Sequence, residues 1–182
     1  MTDIADRYRR LSRRFTDLIE AVPAAEWSSP SPCSDWTAGG VLEHVVMTEV
    51  DFYRRHIDPS VSFDGLDASA TWPQIRDLVQ SALDDPARAA TPYDGMLGPT
   101  TFAATIDQFY SLDLVVHAWD IARATGASEF LVIPGDEIVA ATAAIAPLVD
   151  LMRQPGGFGP EIDVADDVDP QTRLLAVLGR AG

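Results

Sequence analysis

A chain of 182 residues with 28 acidic and 13 basic side chains, all of the basic ones arginine, has a net charge of −15; phosphate backbones and anionic lipids repel it, which excludes nucleic-acid and membrane partners. With 47% hydrophobic residues and a length inside the roughly 100–200 residues of one domain, residues 1–182 are expected to fold as a single domain without disulfides or structural metal, so a bound metal would serve function. The single cysteine, Cys33, can build neither an internal disulfide nor a thiolate cluster, no apolar run approaches the roughly 18–20 residues of a membrane span, and Met1 to Asp6 lack signal-peptide character; a cytoplasmic location is expected, with any metal held by histidines and carboxylates.

Apolar residues at Ile4, Tyr8, Leu11, Phe15, Leu18, Ile19 and Val22 recur at three and four residues and predict a first amphipathic helix. The stretch Pro23 to Asp35, rich in Pro and Ser, breaks it, and Thr37 offers an N-cap for a second helix from about Ala38 to His56. After a loop from Asp58 to Ala70, Thr71-Trp72-Pro73-Gln74 carries a capping Thr and an early Pro, predicting a third helix to about Leu83. Thr91 to Thr101, with two Pro and Gly pairs, reads as an exposed connection with a short extended piece. Phe102 to Thr125 has no internal Pro or Gly and is closed by Gly126, which predicts the longest helix. A fifth helix is expected over Asp136 to Met152, bent at Pro147, then a loop from Gln154 to Asp169 and a last helix from Asp169-Pro170 to before Gly179. Short connections between helices favour an antiparallel bundle.

On the long helix, Ile106, Tyr110, Asp113, His117, Asp120 and Ala124 fall on one stripe at roughly 100° per residue. A plain reading has that stripe facing water, but Phe109, Val116, Leu114 and Ile121 flank it with apolar surface. Asp113 and His117 are four apart, so their side chains project from neighbouring turns and can close on one cation. The leading third ligand is His44, which adjoins the apolar stripe Val41, Val45, Thr48 and Phe52. His56, twelve residues on, lies roughly 18 Å away along the same helix and cannot share that ion; its place near the helix end suits a C-terminal dipole contact. Asp120 is open to three roles: fourth ligand, acceptor for an imidazole N–H, or partner of Arg123. Cys33 has no neighbouring His in sequence and carries little weight as a nucleophile, and Trp36 and Trp119 read as core anchors.

Three segments carry a resemblance: Ser31-Pro32-Cys33-Ser34-Asp35-Trp36-Thr37 with Leu42-Glu43-His44; Asp113-Leu114-Val115-Val116-His117-Ala118-Trp119-Asp120-Ile121-Ala122; and Asp169-Pro170 through Leu178-Gly179-Arg180. Together they resemble the DinB/YfiT-like metal-binding superfamily, in the branch similar to the N-terminal domain of mycothiol-dependent maleylpyruvate isomerase. The resemblance implies an all-α fold, a DinB-like four-helix bundle with additional C-terminal helices. It also implies a divalent metal, zinc foremost with nickel and iron open, on a His of the second helix and an acidic residue and His four apart on a later one. By position these are His44, Asp113 and His117. Asp113 stands where the isomerase has Glu, which draws the ion toward the helix or loosens its hold. The chain is expected to lack the isomerase's separate C-terminal domain, so the substrate is not inherited.

Two nitrogen ligands and one oxygen ligand leave coordination positions open, as catalytic sites do. Three functions remain in play. The first, from the resemblance, is a transferase or isomerase in which the metal activates a small-molecule thiol such as mycothiol against an electrophilic substrate. The second is a metal-dependent hydrolase assisted by Asp120 or Glu43. The third is a non-catalytic metal- or ligand-binding bundle, with a homodimer left open.

Overall fold

The computed structural model of the chain describes residues 3–33, 36–153 and 157–181. Helix α1 (Ile4–Ala21) starts where the Asp3 side chain accepts the Ala5 amide at 2.8 Å, and it buries Tyr8, Leu11, Phe15 and Leu18 on the predicted stripe. Helix α2 (Ala38–His56) begins as expected, with the Thr37 hydroxyl accepting the Gly40 amide at 3.1 Å. Helix α3 (Ala68–Asp84) starts before the expected Thr71, because Asp67 accepts the Ala70 amide at 2.8 Å and captures the cap position. Pro73 then falls inside the helix, where the carbonyl it leaves unpaired belongs to the exposed first turn.

A single turn, α4 (Pro86–Ala89), leads into an antiparallel hairpin of β1 (Pro92–Gly95) and β2 (Gly98–Thr101), in register Tyr93 to Thr100. The expected extended piece is thus two paired strands. The predicted long helix is one rod in three parts: α5 (Phe102–Thr105), a wide π turn over Ile106–Tyr110, and α6 (Ser111–Thr125). Gly126 closes it at φ 75°, a left-handed conformation open to glycine at little cost. The fifth predicted helix is broken rather than bent at Pro147, giving α7 (Gly135–Ile145) and α8 (Val149–Met152), since proline lacks the amide that would continue the ladder. Helix α9 (Pro170–Val177) is capped by Asp169, which accepts the Gln171 and Thr172 amides. Of the predicted loop from Gln154, residues 154–156 lie outside those described, as do Ser34 and Asp35.

Helices α1 and α2 each pack on α3 and on α6, so the four long helices form a ring around one core. The chain is predominantly all-α, as expected. Phe15 meets Trp72 edge-on at 4.9 Å, and the Trp72 indole donates to the Thr16 hydroxyl at 2.9 Å, satisfying its one polar atom. A smaller cluster of Leu112, Val116, Ala141, Ile145, Leu174 and Leu178 joins α6 to α7 and α9. That second cluster brings the segment after α9 against the far side of α6, behind the candidate ligands.

Candidate metal centre

Helix α2 carries His44 and α6 carries Asp113 and His117, and the packing of these two helices brings the three together. One ligand atom from each lies within 4.8 Å of the others. His44 Nε2 stands 4.0 Å from Asp113 Oδ2, and the two imidazoles meet edge to face at 5.1 Å between centroids. Tetrahedral coordination at about 2.0–2.1 Å requires donors roughly 3.3 Å apart, so closing on an ion takes side-chain adjustments of about 1 Å. His44 and Asp113 keep 29% and 33% of their side-chain surface open, whereas His117 keeps 9%. The donor set is hard and borderline, N and O without sulfur, and one side faces solvent; it fits a divalent cation with exchangeable positions.

Behind His117 is a buried network. Asp120, fully buried, accepts from His117 Nδ1 at 2.9 Å, which leaves Nε2 for an ion. The guanidinium of Arg180 donates to both Asp120 oxygens, Nε to Oδ1 at 3.0 Å and Nη2 to Oδ2 at 2.8 Å. Cys33 joins them: its thiol lies 3.2 Å from Asp120 Oδ2, and Arg180 Nη2 lies 3.0 Å from its sulfur. Cys33, His117 and Asp120 also have ligand atoms within 4.8 Å of one another. Arg180 already supplies the positive charge there, however, so a second cation would be repelled.

The charges balance unevenly. Burial pushes the Asp113 carboxyl above its ordinary range against the pull of His117, His44 and Arg180. Burial and the nearby His117 push His44 down, while Asp113 pulls it up. Burial also opposes charge on His117, but hydrogen bonds to Asp120 and Cys33 and the carboxylates of Asp113 and Asp120 raise its imidazole to about 10. Burial works against the Asp120 carboxylate as well, yet the bonds from His117 and Arg180 hold it down at about 2. Without an ion, then, His117 carries a proton that a metal has to displace.

The other expectations divide. The stripe on the long helix does not face water: Ile106, His117 and Asp120 are buried. Asp120 contacts His117 and Arg180, and none of its hydrogen bonds involves Arg123. Trp36 is half-buried and packs against the main core, as expected, and its ring, 4.7 Å from His44 and 6.4 Å from His117, also walls the site. Trp119 is buried in the core, as read. His56 lies apart, its ring 3.9 Å from Tyr93 and 4.7 Å from Phe52. It ends α2, in the last turn as expected, and burial and Arg55 hold it below its ordinary range. Sequence reading missed Arg180, which it quoted within a motif without a role, and Glu49. The latter is buried, with one oxygen unpartnered among the described residues, and its signal was a carboxylate on the buried face of α2 beside Val45, Val46 and Tyr53.

Fold and site together define a helical bundle in which two helices bring two imidazoles and a carboxylate together. Residues 8–74 match the family of the mycothiol maleylpyruvate isomerase N-terminal domain, which agrees with the resemblance carried by the motifs. The match runs from α1 into α3 and includes Cys33 and His44, while Asp113 and His117 lie beyond it. Two uncharacterized proteins of Mycobacterium tuberculosis, from strains CDC 1551/Oshkosh and ATCC 25618/H37Rv, are each 29% identical over 191 residues, spanning 95% of this chain and 95% of their own length. No solved structure matches the chain significantly. Among the described residues, no helix is long and apolar enough to cross a membrane.

Proposed function

We propose that His44, Asp113 and His117 hold a divalent metal, zinc foremost, and that the chain uses it to present a small-molecule thiol such as mycothiol to an electrophilic substrate, as a transferase or isomerase. The observation that carries the reading is the convergence of three donors from two helices within 4.8 Å, with two of them still open to solvent. The matched family, named for a mycothiol-dependent isomerase, supports the choice of thiol. A metal there supplies Lewis acidity that lowers the pKa of a bound thiol, whose thiolate is the nucleophile.

The chain's own residues prepare the site. Asp120 fixes the His117 ring through Nδ1 and so aims Nε2 at the opening between α2 and α6. Trp36 packs against the His44 ring from one side. Asp113 adds one negative charge, leaving the centre with net positive charge when a divalent ion is bound, which favours an anionic sulfur.

Thermal unfolding with added zinc, then with zinc and thiol, tests the reading. A rise with zinc and a further rise with thiol only in its presence is the expected result. Stabilisation by thiol without metal contradicts it. Zinc stabilisation that thiol leaves unchanged removes the thiol chemistry and leaves the hydrolase and the non-catalytic binder.

A further inference from the structure

We propose that Arg180 is a positioning residue for the metal centre: by gripping both oxygens of Asp120 it fixes the acceptor that orients the His117 imidazole. The inference rests on reading His117 as a ligand. Sixty residues separate Arg180 from Asp120 in the chain, and the fold brings them together by a rigid device.

After α9 the Gly179 amide donates to the Ala176 carbonyl at 3.0 Å and the Arg180 amide donates to the Leu175 carbonyl at 2.8 Å. With Gly179 at φ 79°, this is the paired C-terminal closure of a Schellman motif. Gly159 packs against the turn from outside, so closely that a Cβ on Gly179 would stand 2.7 Å from the Gly159 Cα. The Arg180 side chain therefore leaves a fixed backbone. Its Nη1 donates to the Leu178 carbonyl at 2.8 Å, which orients the guanidinium plane before it reaches Asp120.

A carboxylate on a helix can turn about its last torsion, and the His117 and Cys33 contacts, both to Oδ2, do not fix its plane. The planar fork of Arg180, on Oδ1 and Oδ2 at once, sets the carboxylate plane and leaves Oδ2 facing His117 Nδ1. Both partners are buried, so water does not compete: Asp120 is fully covered and Arg180 is 8% exposed. A purely structural ion pair would need no shared oxygen. Here the oxygen that takes Nη2 is the one that holds the imidazole.

The test uses the full chain labelled with ¹⁵N-histidine, whose three histidines give separable signals with His56 as internal control. In metal-free wild type, His117 is expected to show a sharp, exchange-protected Nδ1–H proton. In R180M that resonance should broaden or vanish, and Zn²⁺ affinity, measured by competition with a chromogenic chelator, should fall about 10- to 100-fold. A folded R180M that keeps both the resonance and the affinity overturns the proposal, whatever its Tm. If R180M does not fold, R180K decides in the same way, since it keeps the charge without the fork; an unchanged resonance and affinity in R180K overturns the proposal too. Should wild type bind no zinc, the metal-centre reading falls, while the His117 resonance still decides the role of Arg180.

Discussion

Replacing Glu49 by Gln should reverse the order of stability between the two proteins as pH rises. The Glu49 carboxyl is buried, accepts one hydrogen bond from the Tyr8 hydroxyl at 2.8 Å, and has no partner for its other oxygen among the described residues. Burial pushes it up to about 8; the Tyr8 bond opposes that rise, and Asp113 adds to it. The folded chain thus binds this proton more tightly than the unfolded chain, whose Glu titrates near 4.5. The stability this proton contributes is complete below pH 4.5, declines as pH rises, and is gone once pH passes about 8. At about 1.4 kcal/mol per pH unit, the interval corresponds to about 5 kcal/mol lost by wild type and not by E49Q. At low pH the variant should be less stable by about 1–3 kcal/mol, because its amide buries two N–H donors where the neutral carboxyl buries a single O–H. Urea unfolding of metal-free protein at pH steps from 4 to 9 measures both curves. Parallel curves, with a difference constant to about 1 kcal/mol, refute the reasoning.

Saturating zinc should stabilise wild type by about 4 kcal/mol at a thousandfold excess over Kd, and should stabilise H44A, D113A and H117A far less; equal shifts in all four proteins would place the ion elsewhere. Because the imidazole of His117 is raised to about 10 and that of His44 is pushed down, zinc binding at pH 7 should release close to one proton, and affinity should climb with pH. Calorimetry in two buffers of different ionisation heat reads that proton, and zero release contradicts the ligand assignment. G179A puts a side chain at φ 79° against Gly159 and should cost about 1–3 kcal/mol in urea unfolding; a neutral substitution would mean that the turn yields easily.

Local chemistry made much of the fold legible. Thr37, Asp169-Pro170 and Gly126 each close or open a helix through bonds to amides or carbonyls a few residues away, so their meaning does not depend on the rest of the chain. The start of α3 was misread because Asp67 and Thr71 are both competent caps and spacing alone does not rank them. His44 could be anticipated because a polar residue beside the apolar stripe of α2 has to face something. Arg180 could not, since nothing in the periodicity of α9 says that its end reaches the back of α6. Glu49 was passed over because pattern reading expects a carboxylate in water, whereas the fold buries it against Tyr8.

The π turn at Ile106–Tyr110 lodges one more residue than an ordinary helical turn holds, so the rod keeps its phase on either side of it. Dropping one residue there would restore ordinary pitch and leave Asp113 and His117 facing His44, with their own spacing intact. Relatives with an unbroken rod at this point should therefore carry their paired donors one residue nearer the hairpin.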